Sequence, residues 1–369
     1  AVTPADHAKA ADYTVATMRA KIAGSLIDLP IMLGWLYFGI GAIQRGVDAL
    51  VPGPVLSGSV LLVAIMAISA VCELPMSAYR TFVIEARFGF NKMSAKLFLL
   101  DWLKSKALSL AIAFVLVSAL LWVMAHVAGA WWLEAWGGCM IFVASMMVAY
   151  PLLIAPLFNK FTPLADGEVK ARVEALLAKA GFVASGLFVM DGSKRSTHGN
   201  AYFTGFGKAK RIVFYDTLLE RLSVSEIEAV LAHELGHFKH RDILLSFARM
   251  AVFSLAVFWW LGVAAKAPWL SAGLGLPQSD AVGLVVAMIC LSPVGVLLAP
   301  LGNWLSNRAE SRADRFAAAM TGGGEALSSA LLKLSRDNAS TLTPDPVYVL
   351  FRYSHPPVPI RIERLRHAA

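Results

Sequence analysis

The chain has 369 residues, of which 57% are hydrophobic and 16% charged, and its mean hydropathy is +0.63. Soluble domains carry about 25% charged residues, so the composition excludes an ordinary soluble domain and indicates a membrane protein. The net charge of +8 invites a nucleic-acid reading, but basic loops held on one side of a bilayer explain it better, and no nucleic-acid partner is expected.

Residues 1–23 are polar and charged, with His7, Lys9, Asp12, Arg19 and Lys21. They lack the apolar core and small-residue cleavage site of a signal peptide. The sequence opens on Ala1 rather than Met, so the natural N-terminus is expected to be trimmed or missing. Six apolar runs follow, at about 24–44, 55–74, 107–127, 137–157, 244–265 and 282–301, each long enough to span or nearly span the hydrocarbon core. Asp28 sits near the start of the first, where an interfacial position is expected. Trp131, Trp132 and Trp136 cluster at one run's edge and Trp259 with Trp260 at another's, which suits an interfacial aromatic belt. Cys72, Cys139 and Cys290 all fall inside apolar runs without a C-x-x-C partner. They are read as buried core thiols, neither disulfides nor zinc ligands.

The connections differ in charge. The 75–106 link carries Arg80, Arg87, Lys92, Lys96, Lys104 and Lys106, whereas 45–54, 128–136 and 266–281 carry only Arg45 and Lys266 between them. The positive-inside rule therefore puts 1–23, 75–106, 158–243 and 302–369 in the cytoplasm. Four regions result: an N-terminal part with four spans (1–157), a cytoplasmic domain (158–243), a transmembrane hairpin (244–301) and a C-terminal segment (302–369), the second and fourth of which carry the candidate catalytic residues described next.

Residues 158–243 form the only sizeable polar insert. Glu168 to Ala180 reads as an amphipathic helix ended by Gly181, and Leu187 to Met190 as a strand. Asn200 to Phe206 and Arg211 to Tyr215 read as a hairpin-like strand pair joined by Gly-Lys-Ala-Lys. The first of these strands either pairs with an extended substrate or simply supports the helix that follows. That helix is marked by Ser223 and Glu226 as a capping box and by Ile227, Val230, Leu231 and Leu235 as an apolar stripe. It carries His233-Glu-Leu-Gly-His237. Residues four apart share a helix face, so both imidazoles can reach one metal, and Glu234 beside them can polarise a water there. The alternative is a surface helix with two incidental histidines, which a full H-E-x-x-H disfavours. His240 reads as a helix-end residue rather than an extra ligand.

After the last run, Glu310 and Asp314 lie four apart on one helix face. A zinc site with two histidines needs a third protein ligand and an open position. Glu310 is the best candidate, and Asp314 can orient a ligand histidine. Alone, the stretch would read as a solvated helix with local ion pairs to Arg308, Arg312 or Arg315. The upstream motif, and a membrane hairpin returning the chain to the same side, favour the ligand reading. In the tail, His355 could donate to a developing oxyanion, and Arg361 could bind a substrate carboxylate or brace one of the site's own; the alternative, which the sequence leaves open, is a proline-stiffened tail with a surface histidine. The expected fold is mainly α: a polytopic α-helical membrane protein with six spans and a small cytoplasmic α+β zinc metallopeptidase domain.

Several stretches together resemble the type I CAAX prenyl proteases, integral-membrane zinc metalloendopeptidases. They are Arg87-Phe-Gly-Phe-Asn-Lys, Asp101 to Lys104, Pro156-Leu-Phe-Asn-Lys-Phe-Thr-Pro-Leu, Ser196-Thr-His-Gly-Asn-Ala-Tyr-Phe-Thr-Gly, Arg211-Ile-Val-Phe-Tyr-Asp-Thr-Leu, the metal helix, Glu310 with Ala313-Asp314, and Ser354-His-Pro-Pro. The resemblance implies one zinc ion on His233, His237 and Glu310, with Glu234 as general base and Asp314 behind the ligands. It implies that Asn200 and Ala201 lie on the strand that holds a peptide substrate, with His355 near the scissile carbonyl and Arg361 in support. It also implies a large chamber among the spans, in contact with membrane lipid, with the zinc on the cytoplasmic side. The implied reaction removes the last three residues of a prenylated CAAX peptide. The family usually has seven spans; the seventh would precede residue 1. Phe238 and Asn307 stand where many members have Trp and Arg, which bears on substrate choice. The sequence style reads as bacterial, an inner-membrane protein, and bacteria generally lack protein prenylation, so the natural substrate need not be a CAAX protein. The rivals are a heat-shock-type quality-control membrane protease and a non-catalytic scaffold or transporter with structural zinc. Intact Glu234 argues against the latter.

Overall fold

The computed structural model describes residues 2–204 and 211–367. Six helical stretches among them are long and apolar enough to cross a membrane: Pro4–Leu50, Pro54–Glu85, Ala95–His126, Trp131–Leu157, Asp242–Ala264 and Asp280–Thr321. The number matches the hydropathy pattern, but the helices run well beyond the apolar stretches. The polar start joins the first span as one helix, α1 (Pro4–Gly34). Thr3 and Asp6 form a capping box at its start and Pro4 takes the first position, which suits a helix N-terminus. A π-helical turn, Trp35–Gly39, leads into α2 (Ile40–Leu50). Then come α3 (Pro54–Tyr79), α4 (Ala95–His126) and α5 (Trp131–Ala149).

The insert folds as a four-stranded sheet beside two helices. β1 (Phe161–Pro163), α6 (Glu168–Lys179), β2 (Gly186–Met190), β3 (Ala201–Thr204) and β4 (Arg211–Tyr215) build it, in the order β1-β2-β4-β3. β2 and β4 are parallel, and the other two pairings are antiparallel. The expected strand pair is present, with Ala201 opposite Phe214; its Gly-Lys-Ala-Lys connection, and the end of the strand expected to reach Phe206, lie outside the described residues. β1 carries too short a pattern to be read from sequence. After the short α7 (Asp216–Leu219) comes the metal helix α8 (Val224–Lys239). Ile227, Leu231 and Leu235 are buried in a core shared with Ile212 and Phe214 of the sheet.

The chain re-enters the membrane through α9 (Asp242–Ala264) and, after α10 (Pro268–Ala272), returns through α11 (Asp280–Thr321). At 1.5 Å per residue, this 42-residue helix is about 63 Å long, twice a hydrocarbon core of ~30 Å. It therefore leaves the membrane without a break and carries Glu310 and Asp314 against α8. The tail closes the site with α12 (Glu325–Asp337), α13 (Pro346–Arg352) and α14 (Val358–Arg366).

One expectation is corrected in the spans. Cys72 and Cys290 are exposed and Cys139 partly so, because an apolar run in a bilayer has no need to bury its thiols in protein. Trp131 is buried, Trp136 Nε1 donates to Ala251 O at 3.1 Å, and Trp260 Nε1 donates to Ala287 O at 3.3 Å. These indoles tie helices together; Trp259 alone of the named set is widely exposed, at 55%. Asp28 lines a cavity of about 700 Å³ among the spans, beside Cys72 and Glu73.

Candidate metal centre

Helix α8 is held at its start by a carboxylate that does more than cap. Glu226 accepts from the Ser223 backbone N–H at 2.7 Å, and also from Ser329 Oγ and Lys333 Nζ of α12, both at 2.7 Å. Farther along, Gly236 lets α8 approach α11: a methyl group there would stand 2.8 Å from Ala313 Cα and 3.1 Å from Ala313 O. This close approach brings α11 carboxylates within reach of α8 imidazoles.

His233 Nε2 lies 3.3 Å from Glu310 Oε2, and His237 Nε2 lies 3.3 Å from Glu310 Oε1. The two imidazoles sit 4.9 Å apart at 87°. One donor atom from each of His233, His237 and Glu310 falls within 4.8 Å of the others. Zinc bonds of about 2.0–2.2 Å in a tetrahedron separate ligand atoms by roughly 3.3–3.5 Å, so the spacing fits a small divalent ion. Glu310 Oε2 is buried and makes no well-aligned hydrogen bond, its neighbours being His233 Nε2 at 3.3 Å and Arg361 Nη1 at 3.6 Å, and a metal ion between the ligands would satisfy it. Glu310 thus turns to the histidines, not to Arg308 or Arg312 of its own helix.

Each histidine is backed by an Asp–Arg pair. His233 Nδ1 is 2.9 Å from Asp314 Oδ1, and Arg361 grips that carboxylate through Nε at 2.9 Å and Nη2 at 2.6 Å. His237 Nδ1 is 3.0 Å from Asp242 Oδ2, whose other oxygen accepts from Arg312 Nη2 at 2.6 Å. Such carboxylates fix ring orientation and leave Nε2 for the metal. Asp242 was not singled out in the sequence, and Arg312 was read only as a local ion-pair partner on its own helix. Asp242 follows Arg241, a left-handed residue at φ 56°, and this turn folds it back on His237 in a way helical spacing does not reveal.

Of the two roles open to Arg361, the geometry has it bracing: it is buried, with both Asp314 oxygens engaged and Glu310 Oε2 3.6 Å from Nη1. His355 Nε2 stands 3.2 Å from Glu310 Oε1, and Ser354 Oγ is 2.9 Å from its Nδ1. Glu234 is partly buried and lines, with His237 and Glu310, a cleft of about 840 Å³ that also contains Tyr202 and Phe203 of β3. Asn200 precedes β3 and its side chain accepts from the Ala201 backbone N–H at 2.9 Å, while the Ala201 side chain is buried. β3 is an edge strand of the sheet.

Electrostatics follow from burial and these contacts. Burial disfavours a charged His233, but hydrogen bonds to Asp314 and Glu310 overcome it and push the group up to about 9. His237 is raised despite desolvation, through Glu310 and Asp242. Both imidazoles thus sit in a site built for positive charge. Desolvation raises Glu234; partial desolvation also lowers His355, whose side chain stays largely exposed.

Residues 163–369 match the family model described as Peptidase family M48. The chain belongs to peptidase family M48. Residues 1–160 match a second model, CAAX prenyl protease N-terminal, five membrane helices; four of the six candidate spans fall there. The chain is 36% identical over 349 residues to the CAAX prenyl protease 1 homolog of Oryza sativa subsp. japonica, covering 93% of this chain and 82% of that protein. CAAX prenyl protease 1 of Saccharomyces cerevisiae is 33% identical over 323 residues, covering 82% and 70%. The crystal structure of S. mikatae Ste24p aligns with a TM-score of 0.91 at 30% identity, covering 99% of this chain and 89% of that one. As an M48 member the chain is an integral-membrane metallopeptidase acting on peptides, and its His-His-Glu cluster provides for the metal ion the family implies.

Proposed function

We propose that the chain is a zinc metalloendopeptidase that cleaves near the C-terminus of CAAX-type or related peptides, prenylated ones included, and releases the last three residues. The observation that carries this reading is the meeting of His233, His237 and Glu310 at ligand spacing, with Glu234 in the same cleft, on a chain whose relatives carry the CAAX prenyl protease name along most of their length. The basic links support a catalytic face in the cytoplasm, and the sequence style supports a bacterial inner membrane. Membrane lipid is then the surrounding solvent of the spans.

His233, His237 and Glu310 hold the zinc in this reading, with Asp314 and Asp242 steering the imidazoles and Arg361 and Arg312 holding the two aspartates. A bound zinc supplies Lewis acidity, making water a better nucleophile and polarising the scissile carbonyl. Glu234 accepts the water proton and passes it to the leaving amine; its desolvation makes it a stronger base than an exposed carboxylate. The lowering of His355 favours its neutral ring, although the side chain is 59% exposed. If Ser354 is the donor in its 2.9 Å contact with Nδ1, the ring carries its proton on Nε2 and can donate to a developing oxyanion. The edge of β3, from Asn200 and Ala201 onward, offers backbone groups to an extended substrate.

The test is cleavage of a farnesylated CAAX peptide beside its unprenylated twin, with product masses. Release of a single C-terminal tripeptide supports the reading. Scattered cuts in unfolded membrane proteins, with no tripeptide from either twin, would replace it with the quality-control protease.

A further inference from the structure

The 840 Å³ cleft that contains Glu234, His237 and Glu310 is walled by apolar side chains, among them Met147, Phe247, Met250 and Phe253. It also contains Arg249, the only lysine or arginine among the described residues that line it. Arg249 lies within the α9 span, where a permanently charged side chain is expensive and marks a function by default. Its own contacts are modest: Nε donates to Leu245 O at 3.1 Å and Nη2 donates to Ser246 Oγ at 3.2 Å. No carboxylate stands within ion-pair distance of it among the described residues. The other arginines around the centre, Arg312 and Arg361, are already committed to Asp242 and Asp314. A substrate anion entering the cleft therefore meets one open cation.

Its distance from the chemistry is set by α9. Asp242, which touches His237, and Arg249 lie almost two full turns apart, so they share a helix face, separated along the axis by about 10.5 Å. Three extended residues span about 10 Å. A peptide with its scissile bond at the centre thus brings a carboxylate three residues downstream to the level of Arg249, and the apolar walls between suit aliphatic side chains.

We propose that Arg249 is the specificity residue that binds the free C-terminal carboxylate of the peptide and so fixes the cut three residues from its end. The subsite rests on the tripeptide-release reading and adds to it the residue that measures the distance. Arg presents a planar fork that matches a carboxylate, and a charge-assisted hydrogen bond of this kind corresponds to about 10- to 100-fold in rate.

The experiment compares two forms of one farnesylated CAAX peptide, C-terminal acid and C-terminal amide, with the full-length protein in detergent or vesicles. The wild type is expected to cleave the acid with a kcat/KM about 10- to 100-fold above the amide. In Arg249→Met the acid-to-amide ratio should fall to near 1, and in Arg249→Lys it should be intermediate, since the point charge remains without the fork. An unchanged zinc content in both variants separates this from misfolding. A wild-type ratio near 1, or a ratio that survives Arg249→Met, overturns the subsite and leaves tripeptide release standing. No tripeptide from either form in the wild type overturns the underlying reading, and the subsite falls with it.

Discussion

Gly236 sits between the two histidines of α8, where that helix meets α11, and Gly236→Ala probes the geometry that assembles the centre. The new methyl would stand 2.8 Å from Ala313 Cα, 3.1 Å from Ala313 O and 3.2 Å from Ala313 Cβ. Carbon atoms in ordinary contact are about 3.5–4.0 Å apart, so the helices must separate by roughly 0.7–1 Å at that level. Ala313 is less than one turn from Glu310, and Gly236 adjoins His237, so the separation passes directly to the ligands. Metal–ligand distances tolerate only about 0.2 Å. Overpacking costs about 1–3 kcal/mol, and replacing a helical Gly by Ala returns about 1 kcal/mol. Stability should therefore drop by no more than about 2 kcal/mol, while zinc affinity drops at least tenfold and cleavage falls with it. Competition with a chromophoric chelator gives the affinity, and thermal unfolding with and without zinc gives the stability. Ala313→Gly in the same background should rescue little, because the nearest obstacle is the Ala313 backbone. Wild-type affinity and rate in Gly236→Ala would refute the claim that this contact sets the ligand geometry.

Other outcomes follow from the same contacts. Glu234→Gln should keep its zinc, by metal analysis, and lose cleavage; turnover near wild type would remove Glu234 as the base. Asp242→Asn should weaken zinc binding about 10- to 100-fold, as loss of an orienting carboxylate does elsewhere; an unchanged Kd would show that His237 needs no such support. Glu226 provides a pH test remote from the metal. Burial alone would raise it, but hydrogen bonds from Lys333, Ser329 and Ser223 overcome this and hold it down at about 2, against an ordinary 4.5. A lowered carboxyl stabilises the fold above its unfolded value, and that contribution is lost as pH falls from near 4.5 toward 2. Glu226→Gln should lower the Tm at pH 7 and flatten its fall below pH 5; a parallel fall in both proteins would contradict the assignment.

What could be read from the sequence was what helical periodicity carries. His233 and His237 share a face because they are four apart, and Glu310 and Asp314 share one for the same reason, so each half of the centre was legible alone. Their union was inferred from the intervening membrane hairpin, and the continuous 42-residue α11 is the physical form of that inference. Asp242 escaped notice because its contact with His237 depends on the left-handed Arg241 turn, and φ values are not periodic signals. Glu226 was read as a cap only, since Ser329 and Lys333 meet it through the packing of α12 on α8. The cysteines were misread because apolar surroundings in a bilayer are lipid as well as protein. β1, three residues ending in Pro163, is too short to show alternation.

The central claim is that two pieces of chain parted by a membrane hairpin grip one zinc ion. Anomalous diffraction at the zinc edge, on crystals of the purified protein, tests it most directly. A single strong peak is expected within coordination distance of His233 Nε2, His237 Nε2 and a Glu310 oxygen, absent from Glu310→Ala crystals. A peak elsewhere, or one that persists at full height without the Glu310 carboxylate, would contradict it.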